Sequence, residues 1–533
     1  MSATLPRRLL GSAPHAAALC GLMGLSASAS ATGFTDLGQD IVWREETSLK
    51  VDGGLRLRAA ALRNLDLDRG FTPSGDLLYP LPLSDLSSQT LTHADLRLRS
   101  DLSIFAPGEA VAVRLRVDVL DNEALGGSPD RDPASSTTQV SPLGAVRVKR
   151  AYGEAVTPVG LVVAGRTGNH WGLGMLANGG DCPDCDSGDA ADRVAFISPF
   201  ADHIWAVSYD FSAIGPTTRT REGQRALDLD PADDVTTVTG AVLHWDSDQT
   251  RARRREAGLW GLEYGAYVSH RWQDRDVPAA YLPTATPVGI DGSQSVARGY
   301  RATAGDLWVR VTGPQLRVEL EAAVLSAKVD QISLLPGVEL RDGAESLQAG
   351  AALESLWGDP DEGWAGGLDA GFASGDPAPG FGAFEGVNAA PAQAGDLEGP
   401  QANPPYDNRA DNFRFHPDYR VDRILFREIL GTVTDAVYVR PHGQLRVRGF
   451  GAGTLTLSVS GVVSRAVEPN STPSGEPWLG VELDPTVAYQ SRDGFGVALE
   501  HGVLFPLGGL DNPQLGLTAK SAQLVRLRLE YLF

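Results

Sequence analysis

The stretch "LVRLRLEYLF" (Leu524–Phe533) alternates with a period of two. Val525, Leu527, Leu529, Tyr531 and Phe533 are apolar, and Arg526, Arg528 and Glu530 stand between them. A strand projects successive side chains to opposite faces, so this segment has one apolar face and one charged face. The pattern recurs in Leu55–Arg58, Leu96–Arg99, Val113–Val119, Val146–Val148, Leu316–Glu321 and Leu445–Arg448. A soluble sandwich with this many strands would close its core with large side chains, yet only 7% of the chain is aromatic. The alternative is an inside-out sheet, with apolar residues facing lipid and charged ones facing a watery lumen.

Composition narrows the class. The formal charge is −21, and only four lysines (Lys50, Lys149, Lys328, Lys520) occur among 46 basic residues. So acidic a chain argues against nucleic acid as a partner. Arg7-Arg8, an apolar stretch from Leu9 to Leu25 and Ser28-Ala29-Ser30-Ala31 read as a secretory signal over 1–31, cleaved after Ala31. Beyond it no run of 18 apolar residues exists, so no transmembrane helix is expected. An exported chain of this kind enters a membrane as a closed barrel, because lipid leaves open sheet edges without partners.

Eighteen candidate strands run from about 48 to 533, following a segment 32–47 read as periplasmic. Tight connections such as Ala106–Glu109, Pro199–Asp202, Thr312–Pro314 and Ser491–Asp493 alternate with long polar insertions. The insertions fall at 61–92, 122–144, 168–191, 212–234, 273–298, 375–432, 465–477 and 506–522. Short turns on one side and long loops on the other describe an outer-membrane barrel, and an even strand count puts both termini on the short-turn side. Sixteen strands remain open if weak segments merge. The expected fold is an all-β transmembrane antiparallel barrel over 48–533. Apolar residues at alternate positions ending in Phe533 (Leu527, Leu529, Tyr531, Phe533) resemble the signal read by the barrel-assembly machinery.

Two segments differ from generic barrel sequence: "GRTGNHWGLGMLANGGDCPDCDSGDAADRVAF" (Gly165–Phe196) and "FRFHPDYRVDRILFREILGTVTDAVYVRP" (Phe413–Pro441). With Phe372–Gly382 and Leu479–Leu510 they resemble an uncharacterised family of outer-membrane barrels from myxobacteria and related deltaproteobacteria. The resemblance implies a channel-like barrel and supplies no solute and no catalytic residue.

Asp181, Asp184, Asp186 and Asp189 crowd one loop, and carboxylates at this density suit Ca²⁺, although the spacing is not that of an EF-hand. A solvated acidic loop is the competing reading. Cys182 and Cys185 could form a redox motif, half a zinc site or a loop staple; a structural disulfide is preferred, since a Cys₄ zinc site needs a second pair. His170 has no serine in a recognisable nucleophile setting, and no enzyme is expected. Insertion 375–432 holds "VDRILFREIL" (Val421–Leu430), which suits a short amphipathic helix. It is expected to narrow the barrel, with Arg420, Asp422, Arg423, Arg427 and Glu428 facing the pore; a surface cap is the alternative.

The expected lumen wall comprises Arg56, Arg58, Arg97, Arg99, Arg114, Arg116, Asp118, Arg147, Arg310, Arg317, Glu319, Glu321, Arg446, Arg448, Arg526 and Arg528. It reads as net basic, which points to a porin passing small anionic hydrophilic solutes. An export conduit for a surface polysaccharide and a loop-plugged binding barrel are the other readings. No cofactor is required, and the sequence sets no oligomeric state.

Overall fold

The computed structural model describes residues 33–82, 89–108, 110–126, 145–212, 233–277, 295–359, 363–383, 392–397 and 407–533. The signal read at 1–31 lies outside them, as do parts of the insertions expected at 61–92, 122–144, 212–234, 273–298 and 375–432. The described residues form one closed antiparallel barrel of eighteen strands. The first nine are β1 (Ser48–Arg63), β2 (Thr90–Phe105), β3 (Val111–Ala124), β4 (Val146–Thr157), β5 (Gly160–Gly168), β6 (Ala190–Phe200), β7 (His203–Ser212), β8 (Val235–His244) and β9 (Gly261–Gln273). The rest are β10 (Tyr300–Thr312), β11 (Leu316–Val329), β12 (Ala344–Gly358), β13 (Gly363–Ala373), β14 (Ala436–Phe450), β15 (Gly453–Ala466), β16 (Trp478–Ser491), β17 (Phe495–Pro506) and β18 (Ala522–Leu532). Each strand pairs with its chain neighbours, and β18 closes the ring on β1 through Arg56↔Glu530 and Arg58↔Arg528. Closure removes every sheet edge, the condition for a sheet to sit in lipid.

The terminal strand behaves as its alternation requires. Val525, Leu527 and Tyr531 are 44%, 39% and 46% exposed, whereas Arg526, Arg528 and Glu530 are buried inside. Phe533 exchanges backbone hydrogen bonds with Gly53 of β1 at 2.9 and 3.1 Å. A Cβ on Gly53 would lie 2.7 Å from the Phe533 ring, so glycine is needed where the terminal aromatic crosses the seam. Outward aromatics gather toward the short-turn end at Phe200, Trp205, Trp260, Trp357, Trp364 and Phe450, and toward the other end at Tyr209, Phe211, Trp478 and Phe505. Two aromatic bands bracketing an apolar one are the exterior of a transmembrane barrel.

Two short helices depart from the expected all-strand pattern. Helix α1 (Gly33–Asp36) precedes β1, and helix α2 (Asp248–Glu256) occupies the β8–β9 connection. Of the segment expected to lie in the periplasm over 32–47, the first residues from Gly33 pack inside the barrel, whereas Arg44 bridges Gly108 of the β2–β3 turn on the short-turn side. The Gly33 N–H donates to the His170 carbonyl at 2.7 Å, and Phe34 packs among Ile197, Tyr267 and Trp308 of the inner wall and Trp171 of the β5–β6 connection. Burial of that one aromatic ring provides the apolar drive for the segment to leave solvent.

Candidate functional site

Two insertions from the long-loop side fill the middle of the barrel. The first, 169–189 between β5 and β6, is anchored at its start by one wall carboxylate. The Glu321 carboxylate of β11 accepts the backbone N–H groups of Leu173, Met175 and Leu176 at 2.5, 3.3 and 3.1 Å. A Cβ on Gly172, whose φ is +55°, would fall 2.6 Å from that carboxylate, so the turn needs glycine to dock this closely. Trp171 is buried beside it and donates to Asp306 at 3.0 Å. The insertion ends in a hairpin whose Cys182 and Cys185 are joined in a disulfide. Arg56 donates to the Pro183 and Cys185 carbonyls at 3.0 and 3.1 Å, and Arg97 takes the same two at 3.1 and 2.5 Å.

The second insertion, between β13 and β14 and described over 374–383, 392–397 and 407–435, has an apolar body. Phe413, Phe415, Ile424, Leu425, Phe426, Ile429 and Leu430 are buried in one cluster with Leu62, Tyr438, Leu479, Leu504 and Leu524 of the wall. The expected amphipathic helix over Val421–Leu430 reduces to a π-helical turn, Leu425–Ile429. Here too a wall glutamate holds the backbone: Glu482 of β16 accepts from Arg423, Ile424 and Leu425 at 2.9, 2.7 and 3.0 Å. Asp422 does not face a pore; it is buried and accepts the N–H groups of Phe426 and Arg427. Asp418 ties the insertions together by accepting from Asp186 and Ser187 at 2.8 and 3.0 Å.

Where the insertions meet the wall, arginines converge on two aspartates. The Asp184 carboxylate lies 2.5 Å from Arg427, 3.1 Å from Arg58, 3.5 Å from Arg528 and 3.6 Å from Arg526. Asp186 lies 2.8 Å from Arg58, 2.8 Å from Arg420, 2.9 Å from Arg56 and 3.6 Å from Arg427. Burial pushes the Asp184 carboxyl up, but the guanidinium groups of Arg427, Arg528, Arg526 and Arg58 overcome this and hold it well below the usual carboxylate range. Burial also opposes ionisation of Asp186, and Arg58, Arg420 and Arg427 bring it below that range as well. Arg423 and Glu428 complete the layer, Arg423 at 2.9 Å from Glu500 and Glu428 at 3.3 Å from Arg526.

The aspartates named for calcium each have another partner. Asp181 faces Arg116 and Arg150, Asp184 and Asp186 face the arginine layer, and Asp189 lies 3.5 Å from His416. The four carboxylates diverge to cationic partners or histidine instead of converging on a point. Among the described residues no group of three His, Cys, Asp or Glu side chains is placed to hold a metal.

The wall itself is not net basic as expected. Arg99 lies 2.8 Å from Asp118, Arg114 3.0 Å from Glu154, Arg116 2.6 Å from Asp101 and Arg310 2.8 Å from Glu263. Arg317 lies 3.5 Å from Glu319 and 3.2 Å from Glu354, and Arg528 lies 3.2 Å from Glu530. The sequence reading missed Asp95, Asp101, Glu154, Glu263, Glu354, Asp369, Glu482, Asp484 and Glu500, and on the basic side Arg150, Arg193 and Arg440. Strand register would have found several, since Arg58↔Asp95, Asp101↔Arg116 and Arg310↔Glu263 are cross-strand neighbours. Arg446 is half-buried on β14. Arg147 and Arg448 stand apart from the layer: Arg147 is 61% exposed and 3.6 Å from Asp121, and Arg448 is exposed two residues before the end of β14.

No protein-family model matches this sequence, and no curated protein matches it. Solved structures similar to it include OccK11 (OpdR) of Pseudomonas aeruginosa, 8% identical over 91% of this chain and 96% of that one, with a TM-score of 0.45. The outer membrane channel DcaP of Acinetobacter baumannii is 11% identical over 92% and 99%, with a TM-score of 0.37. A BenF-like porin from Pseudomonas fluorescens is 11% identical over 91% and 98%, with a TM-score of 0.42.

Proposed function

We propose that this chain is an outer-membrane channel for passive passage of small hydrophilic solutes. We further propose that it favours anionic ones, selected at the arginine layer. The supporting observation is the cage of Arg56, Arg58, Arg420, Arg427, Arg526 and Arg528 around the Asp184 and Asp186 carboxylates. Guanidinium groups bind carboxylate and phosphate through the same planar fork of donors. A solute anion entering the layer therefore competes with two tethered carboxylates already there. Such exchange keeps the site charged without trapping the solute, since conduction needs binding weak enough to release. Lipid surrounds the apolar exterior, and the barrel-assembly machinery reads the terminal strand through Leu527, Leu529, Tyr531 and Phe533.

The apolar cluster inside the barrel favours a second reading, a binding barrel plugged by its own insertions. Single-channel recording of refolded protein in a planar bilayer under a salt gradient separates the two. Discrete steps with a reversal potential on the anion side support the channel; a heat-modifiable barrel that stays silent supports the plugged one. A cation-side potential overturns the anion preference.

A further inference from the structure

Helix α2 has no part in the proposed conduction. Across the other seven short connections, at 106–110, 158–159, 201–202, 313–315, 359–362, 451–452 and 492–494, the sequence holds one basic residue, Arg492. The β8–β9 connection alone holds Arg251, Arg253, Arg254 and Arg255 within a single helix. None of its residues is buried, so it does not complete a core. Ser247 caps it by accepting the Thr250 N–H at 3.3 Å. Arg251 moors it to the wall through Glu263 at 2.9 Å, and Arg254 lies 3.4 Å from Asp246. Arg253 and Arg255 are exposed and have no ion-pair partner among the described residues, in a chain whose inner arginines are matched with carboxylates.

The residues just after the helix place it against lipid. Leu259 and Trp260 are 58% and 57% exposed, and Leu262 and Tyr264 continue the outward row of β9. The Trp260 ring lies against the β10–β11 turn, where a Cβ on Gly313 would fall 2.8 Å from the indole. An outward tryptophan at a strand end marks the headgroup level, and an arginine within two helical turns reaches the phosphates there. We infer that α2 docks the phosphate of an anionic phospholipid on Arg253 and Arg255, with Leu259 and Trp260 against the start of its acyl chains. The inference rests on the membrane placement proposed above.

The test is lipid retention by the refolded full barrel in detergent holding equal phosphatidylglycerol and phosphatidylcholine, read by native mass spectrometry. Wild type is expected to retain phosphatidylglycerol preferentially. Arg253→Gln/Arg255→Gln should cut that preference about thirtyfold, as expected for two basic side chains at a charged membrane surface. Arg492→Gln, on another short turn, should leave it intact. Equal retention of both lipids by wild type, an unchanged preference in the double variant, or an equal loss in Arg492→Gln overturns the inference. Failure of the wild-type barrel to insert into vesicles would overturn the membrane placement itself.

Discussion

The two insertions are docked alike and held differently. Glu321 of β11 and Glu482 of β16, five strands apart in the ring, each accept three successive or near-successive backbone N–H groups. Beyond that anchor they diverge. The first insertion is held by arginines drawn to its aspartates, and the second by an apolar core. Their carboxyls report the difference: Asp184 and Asp186 are held low by guanidinium groups, whereas burial and the Asp484 charge raise Asp422 to about 7, and burial raises Asp435 to about 7. One barrel therefore holds one loop by charge and another by exclusion of water, and the two should fail under different conditions.

The largest effect belongs to the apolar side. Phe426 is buried within 6.2 Å of the Tyr438 ring. Phe426→Ala should lower the unfolding free energy of the refolded barrel by about 3–5 kcal/mol, the usual cost of a core aromatic. A loss below about 1 kcal/mol would mean the second insertion is not a core.

The pH responses should run in opposite directions. A carboxyl raised in the folded state contributes stability that is complete below its unfolded value near 4 and is lost as pH rises toward about 7. Asp435, whose carboxylate accepts the Glu468 N–H at 2.8 Å, should account for up to about 4 kcal/mol of that decline. Asp435→Asn should flatten the stability profile between pH 4 and 7. Asp184 and Asp186, being held low, contribute stability present above about pH 4 and lost as pH falls below it. Limited proteolysis across pH should thus open 169–189 on acidification while the second insertion stays protected. Opening of both together would erase the distinction.

A smaller effect comes from the anchor that both share. Glu321→Ala leaves three buried N–H groups without their acceptor and should cost about 1–3 kcal/mol, with cleavage confined to the first insertion. Glu482→Ala should mirror it at the second. Smallest is reduction by a dithiol. Opening Cys182–Cys185 frees a hairpin still gripped by Arg56 and Arg97, so conductance should rise less than when Asp184 and Asp186 lose their charge.

The barrel is legible because lipid imposes the simplest pattern, an apolar residue at every second position, and Leu524–Phe533 states it locally. Eighteen strands and both sets of turns come from repeating that reading. The interior is harder, since its contacts join distant positions. The partners of Asp184, Arg58 and Arg427, lie 126 and 243 residues away, so the loop's own sequence shows its acidity but not the arginines that meet it. Phe34 gives no signal because one aromatic in a four-residue helix has no period. Helix α2 escapes because none of its residues is buried and no apolar stripe repeats. Arg420 and Arg427 lie inside the barrel as ion-paired side chains, a pairing that their local sequence does not reveal.

The central claim is that the arginine layer is an anion site occupied by the chain's own aspartates. It is tested most directly by reversal potentials of wild type and Asp184→Asn/Asp186→Asn in the same salt gradient. Both removed charges face arginines, so the variant's potential should move further toward the anion limit with a larger unit conductance. An unchanged potential, or a move toward cations, would contradict the account.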